Sequence, residues 1–302
     1  MVSILKSLKK KKTKSIAVQE KLFLDEDAYA TQASPFLKWA GGKKQLIKIL
    51  LGLVPNKYNR YFEPFLGGGA MYFALHPKNA YLSDINPELI NTYVAVRDEY
   101  EKLCADLKKH KGDEDYYYKI READRFPGFN RWKPISKASR FIYLNHTCYN
   151  GIYRVNSMGQ FNVPYGHYKM CKWLETEKLK ECSNALKKAK LVCESYEIIL
   201  DKVREDDFVF IDPPYAPIKS RSRSLVVNPN IWGEEEHIQL RDFCIELDKR
   251  GVKWLQTNSA SPLIFELYKD FKILKVEANK TLNFKTNQKK SITELVIMNY
   301  KI

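Results

Sequence analysis

Residues 61–84 read YFEPFLGGGAMYFALHPKNAYLSD, and this stretch decides the fold. A short apolar strand leads into three glycines at 67–69, a helical stretch follows over 70–75, and a second strand over 80–83 ends at Asp84. A strand, a glycine loop, a helix and a second strand in this order are typical of a β-loop-α-β unit with parallel strands. The segment therefore predicts an α/β protein.

Further strand-like segments lie towards the carboxyl end of the chain. Apolar runs predict strands at residues 191–194, 208–211, 252–257, 271–277 and 292–300. The last two flank the polar stretch 279–291, which predicts a terminal hairpin with a mobile connection. Together with the first unit, these strands favour a Rossmann-like sheet.

A tyrosine-rich segment interrupts this alternation. The strand signal disappears over residues 87–186, where helical, charged and aromatic sequence replaces it. We interpret 87–186 as a mainly helical domain inserted into a catalytic domain that 34–86 and 187–302 form. Within the insertion, residues 149–166 alternate around a turn-forming tripeptide at 157–159, which predicts a β-hairpin.

The chain opens with a basic tail. Lysines stand at positions 6, 9, 10, 11, 12 and 14, and a short acidic patch follows at 25–27. A run of like charges is usually solvated and disordered. We therefore expect residues 1–33 to be a flexible extension and the fold to begin near Pro35. The lysines have no apolar segment behind them, so they are not expected to form a secretory signal.

Composition favours a nucleic-acid partner. Of the 302 residues, 51 are Lys or Arg and 36 are Asp or Glu, and the formal net charge of +15 attracts polyanions. An anionic membrane surface would fit the same charge, although no apolar run approaches the roughly 20 residues of a membrane span. The six cysteines include no Cys-x-x-Cys pair, and only His146 and Cys148 have a spacing suited to a metal. We expect reduced cysteines, no metal and a cytoplasmic location.

The tetrapeptide Asp212-Pro213-Pro214-Tyr215 follows the apolar strand over 208–211. The prolines fix φ and remove two backbone donors, so the loop is stiff and the Pro213 carbonyl can serve as an acceptor. Together with the Asp212 carboxylate and the Tyr215 ring, this carbonyl could hold a planar ring that bears an exocyclic amine. The same residues could also form an ordinary turn. The meaning of the tetrapeptide therefore depends on the rest of the chain.

The glycine loop and Asp84 predict a nucleoside site. Glycines after a strand let a ligand approach the backbone, and an acidic residue at the end of the next strand is placed to accept hydrogen bonds from ribose hydroxyls. The spacing of the glycines at 67–69 matches neither a dinucleotide fingerprint nor a P-loop. The ligand should therefore carry a ribose without depending on a pyrophosphate, as S-adenosylmethionine does.

Five segments in order resemble the Dam-type, alpha-group adenine-N6 DNA methyltransferases, which include orphan enzymes and partners of restriction endonucleases. These segments are FLKWAGGK at 36–43, FEPFLGGG at 62–69, DIN at 84–86, the hairpin at 149–166 and DPPY at 212–215. The resemblance covers roughly residues 35–300. It implies a class I S-adenosylmethionine-dependent sheet with an inserted DNA-recognition domain, and a reaction that leaves S-adenosylhomocysteine.

The resemblance also implies roles for individual residues. The catalytic residues that it implies are Asp212, Pro213, Pro214 and Tyr215. The cofactor-binding residues that it implies are Trp39, Ala40, Gly41, Gly42, Lys43, Phe65, Gly67, Gly69, Asp84, Ser195, Tyr196 and Asp212. The DNA-binding residues that it implies are Lys38, Asn150, Ile152, Arg154, Asn156 and Pro164.

Some of these residues also have a purely structural interpretation. The planar guanidinium of Arg154 can pair with guanine O6 and N7 in the major groove, which gives its expected role a physical basis. In contrast, Trp39 could simply belong to the core, and Asn150 and Asn156 could be turn residues.

The sequence departs from the family pattern at two places. Where the family carries Asp-Phe at a strand end, beside the cofactor's adenine, this chain has Ser195-Tyr196, which keeps an aromatic face but lacks the carboxylate acceptor. The loop after Tyr215 reads KSRSRSLVVN over 219–228 instead of a loop that supports the flipped base. We expect Arg221 and Arg223 either to grip phosphate or to belong to a disordered basic loop that orders only with DNA.

The sequence thus predicts a site-specific adenine-N6 methyltransferase that acts on a flipped adenine in duplex DNA, at GATC or a related GAT-containing site. We expect a monomer, either an orphan enzyme or the partner of an endonuclease that acts on the same site. It would work in a bacterial cytoplasm, or in that of a host if a phage encodes it. Two alternatives remain open: an RNA base amino-methyltransferase and a catalytically silent DNA-binding regulator.

Overall fold

The computed structural model describes residues 33–43, 45–216, 232–279 and 291–302. Its strands are β1 (Tyr61–Glu63), β2 (Ala80–Asp84), β3 (Ala189–Cys193), β4 (Phe208–Ile211), β5 (Lys253–Ser259), β6 (Lys272–Asn279) and β7 (Ser291–Met298). They form one sheet of seven strands in the order β3-β2-β1-β4-β5-β7-β6.

The strands from β3 across to β5 are parallel, whereas β7 is antiparallel to both β5 and β6. The chain builds the sheet outward from β1 in one direction and from β4 in the other, so the order reverses between these two strands. Open α/β sheets bind ligands at the carboxyl ends of the strands beside such a reversal. The topology confirms the predicted α/β, Rossmann-like fold and predicts where its site lies.

The predicted strands are present, with ends that differ by a few residues. The segment 208–211 coincides with β4, but the strand predicted over 252–257 runs on to Ser259 as β5. It does so because Asn258 and Ser259 pair with Leu295 and Glu294 of β7. A polar residue can therefore continue a strand when a neighbouring strand satisfies its backbone, which an apolar run in the sequence does not reveal.

Helices cover both faces of the sheet. They are α1 (Ile47–Leu53), α2 (Ala70–Leu75), α3 (Pro87–Leu107), α4 (Glu114–Arg121), α5 (Pro134–Thr147), α6 (Thr176–Leu186), α7 (Glu234–Lys249) and α8 (Pro262–Leu267). The two faces are clearest at β4, where Phe208 and Phe210 join one apolar cluster and Val209 and Ile211 join the other. Alternate side chains of a strand point to opposite faces, so an entirely apolar strand such as β4 is buried on both sides.

The segment over residues 87–186 is mainly helical, as expected. Helix α3 packs against α5 and α6, and the guanidinium of Arg97 on α3 donates to the Ala189 carbonyl at 3.2 Å. A separate apolar cluster in this segment is built around Tyr117, Tyr143 and Phe161. The division of the chain into two domains stays a prediction.

The predicted hairpin reverses direction where expected, with Asn156 N donating to Gln160 O across the turn at 2.9 Å. Its arms join through isolated antiparallel bridges, at Val155–Phe161 and Cys148–Tyr165, instead of regular strands. A short helical turn, Tyr149–Gly151, interrupts the first arm, and Asn150 within it has φ +55°. We therefore keep the name hairpin for residues 149–166 in the sense of a chain reversal.

Three expectations concern residues outside the described ranges: the flexible tail, the basic loop after Tyr215 and the mobile connection after β6. Among the residues that the structure does describe, no helix has the length and apolar character that crossing a membrane requires. Over the same residues, no cluster of three His, Cys, Asp or Glu side chains is arranged to hold a metal ion.

Candidate active site at the carboxyl edge of the sheet

The glycine loop lies between β1 and α2 and is held by the acidic residue at the end of β2. Asp84 accepts hydrogen bonds from Gly67 N and from Asn86 N, each at 3.0 Å. Burial raises the pKa of Asp84, and these amide donors oppose that effect because they favour the carboxylate. Gly67 has φ +47°, and a Cβ there would lie 2.7 Å from the Trp39 ring. The loop thus needs glycine both for its conformation and for its contact with Trp39.

A cleft of about 290 Å³ opens beside this loop. Its walls include Phe65, Asp84, Ser195, Tyr196 and Trp232. The rings of Phe65 and Tyr196 stack with their centroids 5.3 Å apart, and Trp232 meets Phe65 edge-on at 5.6 Å. A carboxylate acceptor beside flat aromatic faces suits a nucleoside, so these residues fit the adenosine part of S-adenosylmethionine.

Residue Ser195 stands where the family pattern has an acidic side chain. Its hydroxyl donates to the carboxylate of Glu197, which also lines the cleft. Glu197 therefore provides an acidic acceptor two residues after position 195, where the family pattern has its acidic residue. Tyr196 is buried and contributes the expected aromatic face.

The N-terminal segment forms a tight turn over residues 39–43, in which Gly42 N donates to the Trp39 carbonyl at 3.1 Å. Gly41 has φ +78°, which glycine adopts without strain. Ala40, Gly41 and Gly42 are exposed, whereas the Lys43 side chain is only 4% exposed and also donates to the Gly41 carbonyl. The turn thus directs one lysine inward.

Lys43 meets the catalytic loop that follows β4. Its ammonium lies 2.8 Å from Oδ1 of Asp212 and 4.7 Å from the centroid of the Tyr215 ring. The Thr257 hydroxyl donates to the same Asp212 oxygen at 2.6 Å. The loop after β4, the turn over 39–43 and strand β5 therefore converge on one carboxylate.

The Tyr215 hydroxyl is held at its far end by a carboxylate of β7, because it donates to Glu294 Oε2 at 2.6 Å. Burial raises the pKa of Tyr215 well above its ordinary value, and the negative charges of Asp212 and Glu294 raise it further. The hydroxyl therefore stays protonated over the physiological pH range and remains a donor.

Five of the six residues expected to contact DNA lie on the hairpin, and the sixth is Lys38. The guanidinium of Arg154 is oriented by Asn162, to whose Oδ1 its Nε donates at 2.7 Å. The Asn156 Oδ1 accepts from Met158 N at 3.0 Å and from Gln160 N at 2.9 Å, so this side chain builds the turn. Asn150 and Pro164 are exposed, and Ile152 is half-buried.

Lys38 and Trp39 connect the hairpin to the rest of the site. Asn145 on α5 accepts from Lys38 N at 2.8 Å and donates to Lys38 O at 2.7 Å and to Gly151 O at 3.3 Å. The Trp39 ring stacks on Tyr153 of the hairpin with centroids 5.8 Å apart. Trp39 thus packs between the hairpin and the glycine loop and is not among the residues that line the cleft.

Several residues of the site were not anticipated from the sequence. They are Asn145, Tyr153, Glu197, Trp232, Thr257 and Glu294. Asn145 offered a signal, because it is a polar residue that directly follows the apolar run FIYL in a buried helix. Thr257 and Glu294 offered little, because the pairing of β5 with β4 brings the first to the loop after β4 and the pairing of β7 with β5 brings the second.

The chain is similar in sequence to several known DNA methyltransferases. The model of the family described as D12 class N6 adenine-specific DNA methyltransferase matches residues 39–282. A type II methyltransferase of Lactococcus lactis subsp. cremoris is 40% identical over 270 residues, which cover 88% of this chain and 95% of the relative. A type II methyltransferase of Methanocaldococcus jannaschii is 37% identical over 89% of this chain and 100% of its own length. The DNA adenine methylase of Escherichia coli strain K12 is 31% identical over 87% of this chain and 94% of the relative.

Proposed function

Because the chain belongs to the D12 class N6 adenine-specific DNA methyltransferases, we propose that it methylates a flipped adenine within a specific site of duplex DNA. The family assignment makes it an adenine-N6 DNA methyltransferase and implies S-adenosylmethionine as the methyl donor. The family assignment favours DNA over RNA as the substrate. It also favours an enzyme over a catalytically silent DNA-binding regulator.

The cofactor would bind across the carboxyl ends of β1, β2 and β4. Asp84 is placed to accept from the ribose hydroxyls, and Phe65 and Tyr196 offer aromatic faces to the adenine ring. Lys43 and Asp212, which pair at 2.8 Å beside the Tyr215 ring, suit the charged methionine end. When bound, S-adenosylmethionine supplies an electrophilic methyl group.

The reaction needs the target base outside the helix, because N6 of a paired adenine is not accessible to the loop after β4. Tyr215 would stack on the flipped ring. The Asp212 carboxylate and the Pro213 carbonyl would accept hydrogen bonds from the N6 amine, so that its lone pair is less delocalised into the ring and is directed at the methyl group. The observation that carries this proposal is the convergence of Lys43, Thr257 and Asp212 beside the Tyr215 ring.

The hairpin would read the duplex. Arg154, already oriented by Asn162, suits a guanine edge in the major groove, and Lys38 lies beneath the hairpin at Gly151. The likeness of Lys38 and the hairpin to enzymes that read a GAT-containing site supports GATC or a related sequence. The relatives named type II methyltransferases support a restriction-modification setting. We further propose a monomer that acts in the bacterial or host cytoplasm.

Substitution of Asp212 tests the catalytic proposal. We expect Asp212→Ala to lower the rate of methyl transfer to duplex DNA by at least about 100-fold, because an acceptor for N6 is lost. Duplex binding, measured by fluorescence anisotropy, should stay within about threefold of the wild type. Asp270→Ala is the control, because this exposed carboxylate precedes β6 at the opposite edge of the sheet. Near-normal turnover of Asp212→Ala with duplex binding intact would overturn the proposal.

The modified site can be measured directly. We expect single-molecule sequencing of DNA from cells that express the chain to show N6-methyladenine at one short sequence that contains GAT. Methylation at a sequence without GAT would contradict the proposed specificity and leave the adenine-N6 activity intact.

A further inference from the structure

Strand β7 brings a carboxylate, that of Glu294, into the active site. The proposed chemistry of the loop after β4 does not require this carboxylate. β7 is antiparallel and lies between β5 and β6, so its first residues reach the edge of the sheet where the parallel strands end. The register pairs Glu294 with Ser259, the last residue of β5. Glu294 is thereby placed next to the loop that follows β4, and its Oε2 accepts from the Tyr215 hydroxyl at 2.6 Å.

The backbone around Tyr215 is also fixed by the end of β5. Ala216 N donates to Asn258 Oδ1 at 3.2 Å, and the Ser259 hydroxyl donates to the Ala216 carbonyl at 2.5 Å. Pro213 and Pro214 restrict the chain on the other side. The Cα of Tyr215 is therefore well positioned, which leaves rotation of its side chain as the remaining freedom.

The contact with Glu294 restricts that freedom. A tyrosine ring turns about two side-chain torsions, and a hydrogen bond at the hydroxyl restrains χ1, because turning χ1 moves that oxygen. The oxygen lies on the axis of χ2, so this second torsion is restrained instead by the Lys43 ammonium, which lies over one face, 4.7 Å from the ring centroid. The hydroxyl and one face thus have defined neighbours that restrain the ring before any base arrives.

We propose that Glu294 is a positioning residue that holds the Tyr215 ring in place for the target adenine. The inference rests on the proposed stacking role of Tyr215 and deepens it. Glu294 acts through the Tyr215 hydroxyl and does not touch the reacting atoms. Its contribution is orientation, because a base that stacks at the wrong angle places N6 away from the methyl group.

A double-mutant cycle tests the inference. Glu294→Ala and Tyr215→Phe each break the same hydrogen bond, so we expect each to lower kcat for duplex DNA by about tenfold. The double variant should lose about tenfold as well, because the second change has nothing left to remove. Glu294→Gln keeps a carbonyl acceptor at the same place and should retain kcat within about threefold of the wild type.

The fluorescence of 2-aminopurine at the target position distinguishes a positioning role from a merely structural one. If Glu294 only stabilised the fold, its substitution would leave this fluorescence unchanged. Stacking on an ordered tyrosine quenches this probe, so we expect brighter emission with Glu294→Ala and with Tyr215→Phe at saturating enzyme, and wild-type emission with Glu294→Gln. Glu277→Ala is the matched control, because Glu277 is an exposed carboxylate of β6 beside β7. It should change neither kcat nor fluorescence.

The outcomes separate this inference from the proposed function. If Glu294→Ala keeps wild-type kcat, or if the double variant loses about 100-fold as the product of two independent effects, the positioning role is wrong. If Asp212→Ala and Tyr215→Ala also keep their activity, the proposed mechanism fails with it. If Glu294→Ala does not fold, the other two variants test the inference. We expect Tyr215→Phe to lose about tenfold in kcat and Glu294→Gln to retain its kcat. A tenfold loss of kcat in Glu294→Gln would contradict the inference.

Discussion

At the scale of single residues, the site depends on charges that are paired away from water. The Lys43 ammonium is 4% exposed and meets Asp212 at 2.8 Å, while the Asp212 side chain is 22% exposed. An ion pair in this setting is weak evidence for stability, because desolvation of both charges offsets their attraction. Removing one partner is costly all the same, because the other is left without its counterion. We therefore infer that the main contribution of the ion pair is to orient the Asp212 carboxylate.

Substitution of Lys43 should therefore affect both folding and turnover. We expect Lys43→Met to lower kcat/KM for methyl transfer by about 100-fold, because Asp212 loses the cation that orients it. Lys253→Met is the matched control, since Lys253 makes an equally short pair with Asp206 at 2.7 Å, at the opposite edge of the sheet. That surface pair should contribute less than about 1 kcal/mol to stability. Similar kinetics for the two variants would contradict the assignment.

The cofactor site makes a separate prediction at the same scale. Asp84→Ala should weaken binding of S-adenosylmethionine by about 10- to 100-fold, because the ribose loses its acceptor. Isothermal titration calorimetry of the free enzyme measures this without any turnover. Asp98→Ala, which removes an exposed carboxylate from α3, should leave the affinity unchanged. An unaltered affinity in Asp84→Ala would place the ribose elsewhere.

At the scale of elements, the short strand β1 carries a buried acid directly before the glycine loop. Glu63 is 2% exposed and accepts from the Tyr61 hydroxyl at 2.6 Å. Burial raises the pKa of Glu63 from 4.5 to about 8, which means that the folded protein holds a proton on this side chain over much of the neutral range.

This raised pKa predicts a pH dependence of stability. Between pH 4.5 and about 8 the folded state keeps the Glu63 proton that the unfolded state has lost. The contribution to stability is fully present below pH 4.5 and is lost as the pH rises through about 8. Relative to Glu63→Gln, the free energy of unfolding of the wild type should fall by about 1 kcal/mol per pH unit across this window. Urea titrations at pH 5 and pH 8 measure this change in the free energy of unfolding. If this free energy changed equally with pH in the wild type and in Glu63→Gln, the prediction would be wrong.

Helix α5 contributes the second element-scale feature, a clasp between the N-terminal segment and the hairpin. Asn145 satisfies Lys38 N, Lys38 O and Gly151 O. We expect Asn145→Ala to cost about 1–3 kcal/mol of stability, because it leaves buried backbone groups without partners. It should also weaken binding of the specific duplex. Asn91→Ala, which removes an exposed bond to Pro134 O, is the control, and equal effects of the two changes on the duplex would contradict the clasp.

At the scale of the whole molecule, the net positive charge and the residues of the hairpin are expected to contribute differently to DNA binding. The net charge of +15 attracts any duplex, whereas Arg154, Lys38 and the hairpin are expected to distinguish sequences. From its composition alone, we expect the basic tail to contribute to the first of these tasks.

The tail can be tested by replacing its six lysines at positions 6, 9, 10, 11, 12 and 14 with glutamine. The slope of log affinity against log salt should fall by about 0.9 for each phosphate contact that is lost. The rate of methylation at saturating DNA should not change, because no residue of the site is altered. A slope equal to that of the wild type would show that the tail does not contact the duplex.

The sequence by itself determined the α/β class, the glycine loop with Asp84, and the loop at Asp212. These are local patterns, in which a strand, its turn and the following helix are set by neighbours in the chain, and the described strands lie where apolar runs predicted them. The resemblance to a family rested on the same local segments, and the family assignment agrees with it.

The residues that complete the site became visible only in the folded chain. Thr257, Glu294 and Asn145 meet Asp212, Tyr215 and Lys38 through sheet pairing and helix packing. The register of β7 brings Glu294 beside Tyr215 although 79 positions separate them in the chain, and neither segment carries a signal for the other. Contacts between distant segments depend on how elements pack, which the periodicity of a single segment does not encode.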